Sequence, residues 1–98
     1  MTSINAKELK EKMCGNDVII IDVREVWEFE ELNIGAINMP LAEIPKKLKE
    51  LEVYQNKEVI VHCKSGNRSN QAMKYLCKHG FTNVKTLSGG IEAFLKLS

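Results

Sequence analysis

Short β-branched runs alternate with helix-like stretches along this chain, and the joints between them are too brief for anything but crossovers. "VIIID" at 18–22 and "EVIVH" at 58–62 have strand length and read as strands buried on both faces. Asn5 stands before a helical stretch from Ala6 to about Met13, with Glu8 three residues on in the capping-box position. "CGND" breaks the chain after it. "REVWEFEEL" reads as a short polar helix, "GAINMP" as a brief strand stopped by Pro40, and Ile44 to Leu51 as a helix with its basic residues in water. Ser69 to His79 reads as a helix with Ala72, Met73, Leu76 and Cys77 on one apolar face and Gly80 just past its end. "NVKTL" is a further strand, and "SGG" turns the chain into a last helix bearing Ile91, Phe94 and Leu95. This order predicts an α/β fold: a mostly parallel central sheet flanked by helices on both faces. With 98 residues there is room for one domain over 1–98, and no repeat, low-complexity tract or linker divides it.

Composition removes several functional classes. An apolar content of 44% with 28% charge describes a globular chain rather than a disordered one. The longest apolar run, Val18 to Ile21, is far below the ~20 residues that span a bilayer, so no membrane association is expected. The start, "MTSINAKELKEKM", has no apolar signal core. Cys14, Cys63 and Cys77 are odd in number and lack metal-type spacing, which favours a reducing, cytoplasmic setting over a disulfide framework. Net charge is +1, yet it is unevenly placed. From Lys64 to Ile91 there are five basic residues (Lys64, Arg68, Lys74, Lys78, Lys85) and no acid, against nine basic and thirteen acidic elsewhere. The plain reading is a solvated basic helix face; the sharper one is a positive field that gathers small anions. Nucleic acid is disfavoured, because only Tyr75 and Phe81 supply aromatics in that window.

In a parallel α/β sheet, ligands sit beyond the carboxyl ends of the strands. "VIIID" ends on Asp22, followed by Arg24, and "EVIVH" ends on His62, followed by Cys63. If these strands are neighbours, Asp22, Arg24 and Cys63 share one rim. From Lys64 to Arg68 the side chains are small, polar or cationic, and Gly66 relaxes the limit on backbone curvature. A tight loop running into a helix start turns its N–H groups inward as an anion cradle. A thiol there ionises more easily. With an ordinary pKa near ~8.5, about 3% is thiolate at pH 7, and a fall of ~2 units, worth about 2.7 kcal/mol, makes thiolate the majority. Amides, the helix dipole, Lys64 and Arg68 are the groups available to supply that.

Most cysteines at strand ends are packing residues, and Cys77, on its helix's apolar face, fits that description. Cys14 lies in a turn with no cation closer than Lys12. Cys63 differs because strand end, glycine, cations and helix start coincide. His62 neighbours it in sequence but should point to the opposite face of the sheet, which makes it structural rather than a base. Cysteine-dependent phosphatases and arsenate reductases place arginine six residues after cysteine to cradle a tetrahedral oxyanion. Here Arg68 follows Cys63 by five, and the narrower ring suits a cysteine carrying one extra sulfur.

"IIDVREVWEF", "GAINMP", "VIVHCKSGNRS" and "VKTLSGGIEAF" occur in an order and spacing that resemble a single-domain rhodanese, a sulfurtransferase, over nearly the whole chain. The resemblance implies a rhodanese fold with Cys63 as the persulfide-forming nucleophile. It also implies that the loop of Lys64, Ser65, Gly66, Asn67 and Arg68 binds the transferred sulfur and the anionic donor. Asp22, Arg24 and Ser69 would support that loop. The implied reaction is a double displacement in which Cys63 takes sulfur from a donor such as thiosulfate, Lys64 and Arg68 easing sulfite away. Cyanide or a thiol, a protein thiol among the candidates, then accepts it, with no cofactor or metal. A persulfide carrier with poor thiosulfate turnover is the alternative within the same chemistry. Trp27 is placed either at the entrance or in the core. Asn33 and Phe94 stand where the family often has histidine and tryptophan.

Overall fold

The computed structural model describes residues 3–15, 17–64 and 66–97. Ser65, one of the expected sulfur-binding positions, lies outside the described residues. Five parallel strands form one sheet: β1 (Ser3–Ile4), β2 (Val18–Asp22), β3 (Ile37–Asn38), β4 (Glu58–His62) and β5 (Val84–Leu87), in the order β1-β5-β4-β2-β3. Helices α1 (Ala6–Lys12), α2 (Val26–Glu31), α3 (Ile44–Leu51) and α4 (Asn67–Lys78) connect them in turn, and α5 (Gly90–Leu95) follows β5. The parallel α/β architecture is the one the alternating pattern predicts.

Strand β4 is central, pairing with β2 in the register Asp22↔His62 and with β5 in the register Val61↔Thr86. Its β-branched residues Val59, Ile60 and Val61 are fully buried, each worth roughly 1.5–3 kcal/mol of burial. Side chains alternate across the pleat. Ile21, Val23, Val59, Val61 and Cys63 face the layer that holds Ile44 and Leu51 of α3 and Ala72, Met73 and Leu76 of α4. Ile60, with Val18 and Ile20, faces Leu9 of α1 and Ala93 and Phe94 of α5. Phe94 is half-buried and packs against the core of the second face.

Local chemistry explains the helix boundaries. The capping box forms as expected: Asn5 Oδ1 accepts from the Glu8 amide at 2.8 Å, and Glu8 Oε1 accepts from the Asn5 amide at 3.1 Å. Helix α2 ends where Leu32 becomes extended, and Asn33 fastens the turn by donating to the Phe29 carbonyl at 3.0 Å and accepting from the Gly35 amide at 3.0 Å. Helix α4 starts two residues before the predicted Ser69, because Gly66 at φ +115° takes the cap and lets Asn67 enter the helix directly. Cys77 is exposed, contrary to its expected place on the apolar face. Ser69, Ala72, Met73 and Leu76 form the buried strip, with Met73 at its border. At ~100° per residue Cys77 lies ~40° further round than Met73, which carries it into water.

At the amino end of β4, Glu58 accepts from Lys12 at 2.9 Å and from Lys85 at 2.6 Å. The Lys85 hydrogen bond, with help from Lys12, holds this carboxyl below its ordinary pKa against the opposing effect of burial. Lys85 is thus engaged at the end of the strand remote from Cys63. Lys85 of the basic window is thereby neutralised by Glu58 rather than turned toward Lys64 and Arg68.

Candidate functional site

Strand β4 carries Cys63 to the carboxyl rim of the sheet, and the chain turns at once into α4. Cys63 is 1% exposed. Its Sγ accepts a hydrogen bond from the Gly66 amide at 2.9 Å, and the Ser69 hydroxyl lies 3.5 Å away. Ser69 is fully buried and donates to the Gly66 carbonyl at 3.0 Å, an oxygen that also accepts from the Asn70 amide at 3.0 Å. With sulfur protonated, S–H can donate to Ser69 Oγ while the serine proton stays on Gly66. With sulfur ionised, the serine proton can swing to sulfur, since Asn70 still satisfies that carbonyl. Donors aimed at sulfur favour its anionic form, and the start of the twelve-residue α4 adds its dipole.

The loop is held from behind by α5. The Ile91 amide donates to the Cys63 carbonyl at 2.9 Å. Gly90, at φ +62°, lies against the loop backbone so tightly that a Cβ there would come within 2.5 Å of the Cys63 carbonyl oxygen and closer still to that of Lys64. "SGG" is therefore a close-approach element as well as a turn.

The expected loop residues are distributed unequally. Gly66 and Ser69 touch sulfur. Asn67 is exposed as the first residue of α4, and Lys64 is exposed at the mouth. Arg68 is directed to an acid that the sequence reading did not single out. Its Nη1 donates to Glu28 Oε1 at 2.7 Å and its Nη2 to Glu28 Oε2 at 3.1 Å. Glu28 Oε1 also accepts from the Glu25 amide at 2.9 Å. The Arg68 hydrogen bonds, reinforced by the Glu25 amide and opposed by burial, hold the Glu28 carboxyl at about 2. The same pairing raises the pKa of Arg68, with a smaller contribution from charge on Cys63. Its place three residues after Glu25 was the available signal, but nothing local distinguishes Glu28 from the other acids of α2.

Asp22 and Arg24 reach the same rim on the other face of the sheet. Arg24 Nε and Nη2 donate to the Asp22 carboxylate at 2.8–3.1 Å, and Nη2 donates to the Leu32 carbonyl at 2.6 Å. Among the described residues their side-chain bonds thus fasten the end of α2 rather than the loop after Cys63. His62 is fully buried beside them, with Nε2 3.8 Å from Asp22 Oδ2. Burial lowers its pKa, the Asp22 charge opposing, so the imidazole is neutral and structural. Trp27 is 63% exposed, which removes the core-packing alternative. It lines a cleft of about 250 Å3 with Lys64, Glu28, Leu32 and Ile91. Among the described residues no three histidine, cysteine or carboxylate side chains are grouped to hold a metal, and no helix is long and apolar enough to cross a membrane.

Comparison with known proteins converges on one family. The rhodanese-like domain model matches residues 5–97. A protein of Allochromatium vinosum named sulfurtransferase is 31% identical over 98 residues, covering 98% of this chain and 90% of its own. The putative sulfur carrier protein YrkF of Bacillus subtilis is 34% identical over 91 residues, and the match covers 91% of this chain and 48% of that one. This chain thus spans about half the length of that carrier, and a third or less of several longer relatives. The crystal structure of a rhodanese-related protein from Thermoplasma volcanium superposes with a TM-score of 0.86 at 35% identity, covering 98% of this chain and 92% of that one.

Proposed function

Because the chain belongs to the rhodanese-like domain family, we propose that it moves sulfane sulfur through a persulfide on Cys63. The observation that carries this reading is the Gly66 amide at 2.9 Å from Cys63 Sγ, at the head of α4, with Ser69 beside it. In the first half-reaction the Cys63 thiolate attacks the outer sulfur of thiosulfate. The new S–S bond forms as the old one breaks, and the electron pair departs on sulfite. Lys64, exposed at the mouth, stabilises the leaving charge. Arg68 contributes through the long-range field of a guanidinium already held by Glu28. In the second half-reaction cyanide or a thiolate takes the outer sulfur and Cys63 leaves as thiolate. Asn67 and the α4 amides form the rest of the sulfur-binding loop, and Asp22 and Arg24 brace the α2 end of the rim. No metal or cofactor enters either half-reaction.

The engagement of Arg68 by Glu28 also weighs against a phosphatase, which needs an arginine fork open to a tetrahedral oxyanion. The test is thiocyanate formation from thiosulfate and cyanide over a grid of both substrates. Parallel double-reciprocal lines are expected, with turnover abolished in Cys63→Ser. Turnover that persists in Cys63→Ser would refute the assignment.

A further inference from the structure

The cleft beside the sulfur site is lined by Lys64, which follows Cys63, and by Ile91, whose amide donates to the Cys63 carbonyl, and it offers more than a small anion needs. Its volume of about 250 Å3 exceeds what one thiosulfate needs, and three of its apolar side chains face water: Trp27 at 63%, Leu32 at 50% and Leu95 at 46% exposure. An apolar patch with a polar border marks a docking surface, and tryptophan is among the strongest interface anchors. Charge at the cleft is nearly cancelled in pairs, Arg24 by Asp22 and Arg68 by Glu28. Glu31 and Glu92 are left against Lys64, none of them ion-paired among the described residues. The balance is acidic, which favours a cationic polypeptide over an anionic one.

We propose that this cleft docks a polypeptide segment in which lysine or arginine and a bulky apolar residue flank a cysteine, and that this protein thiol accepts the sulfur from Cys63. The inference rests on the persulfide reading above. The apolar flank packs on Trp27, Leu32 and Leu95, and the cation meets Glu31 and Glu92. Persulfide formation suits such an acceptor, because it moves the transferable sulfur one S–S bond, ~2.0 Å, outward from a buried thiol. After loading, the outer sulfur takes a proton from water, and the acceptor thiolate then bonds to it. The Cys63–sulfur bond breaks, and its electron pair stays on Cys63. No net oxidation occurs.

The test uses protein loaded with thiosulfate, desalted, and shown by intact mass to carry one added sulfur. Two peptides of equal length, with a cysteine flanked by leucine and either lysines or glutamates, are offered as acceptors and transfer is followed by mass. The basic peptide should react on the order of tenfold faster at low ionic strength. The ratio should fall to within about twofold at ~0.5 M salt. It should collapse in Glu31→Lys/Glu92→Lys, both exposed positions. A preference that survives this reversal reflects peptide reactivity alone and overturns the proposal, as do equal rates for the two peptides. Sulfur transfer that is second order in the protein itself would give the cleft to another copy of this chain, again overturning it. Failure to load sulfur from any donor would instead refute the persulfide reading, and this proposal with it.

Discussion

Replacing Glu28 by glutamine separates charge from shape at the mouth of the site. The amide keeps the carboxylate's size and one acceptor for the Glu25 amide, but it leaves Arg68 without its counter-charge. A carboxyl held at about 2 instead of 4.5 sets a ceiling of roughly 3 kcal/mol, at ~1.36 kcal/mol per pKa unit. The elevation of Arg68 is the same interaction seen from the other side and is counted once. The Arg68 side chain is 32% exposed, so water screens the pair and about 1–2 kcal/mol is expected. For a chain of this size that lowers the melting temperature by about 5–10 °C at pH 7. Because the folded pKa is depressed, the carboxylate stabilises the fold above its ordinary pKa and loses that effect as pH falls through the folded value. The gap between wild type and Glu28→Gln, followed by circular dichroism, should be constant from pH 7 to about 5. It should then narrow as pH falls from about 4.5 toward 2. His62 becomes protonated in both proteins and cancels from the difference. A gap that does not change with pH, or no gap at pH 7, would refute the assignment of Glu28 as the charged partner of Arg68.

Gly90→Ala places a methyl against the Cys63 and Lys64 carbonyls in a left-handed backbone; it should cost about 1–3 kcal/mol and depress sulfur loading even where thermal melts show a folded protein. Ser69→Ala removes the hydroxyl beside sulfur, so the pH profile of Cys63 alkylation should move to higher pH; an unmoved profile would confine Ser69 to a structural role. Lys64→Ala and Arg68→Ala should both weaken thiosulfate use, more so at low salt. Only Arg68→Ala should also lower the melting temperature, because it strands Glu28 while Lys64 stands in water.

Features governed by neighbours in sequence were readable before any coordinates. The Asn5–Glu8 box, the two five-residue strands and the turn from Cys63 into a helix each follow from local sterics and hydrogen bonding. Features set by tertiary contact were not. Two-residue β1 carries no periodicity, and its pairing with β5 is visible only once Ser3 lies beside Thr86. Glu28 is one acid among several on α2, and its role comes from Arg68 arriving forty residues later. Gly90 reads as half of a turn until α5 is seated behind the loop. Cys77 lies outside the buried strip; helical periodicity says which residues share a side but not how wide the covered strip is. Asp22 and Arg24 stand at the end of β2, but the strand pleat turns them to the face opposite Cys63, where their bonds brace α2, and only the tertiary structure shows this.

Whether Cys63 carries the sulfur is read from the intact mass after incubation with thiosulfate and desalting. One added sulfur is expected, removed by cyanide, retained in Cys14→Ser and Cys77→Ser, and lost in Cys63→Ser. An unmodified wild-type mass with every sulfur donor tried, or an adduct that persists in Cys63→Ser, would rule out sulfur carriage by Cys63.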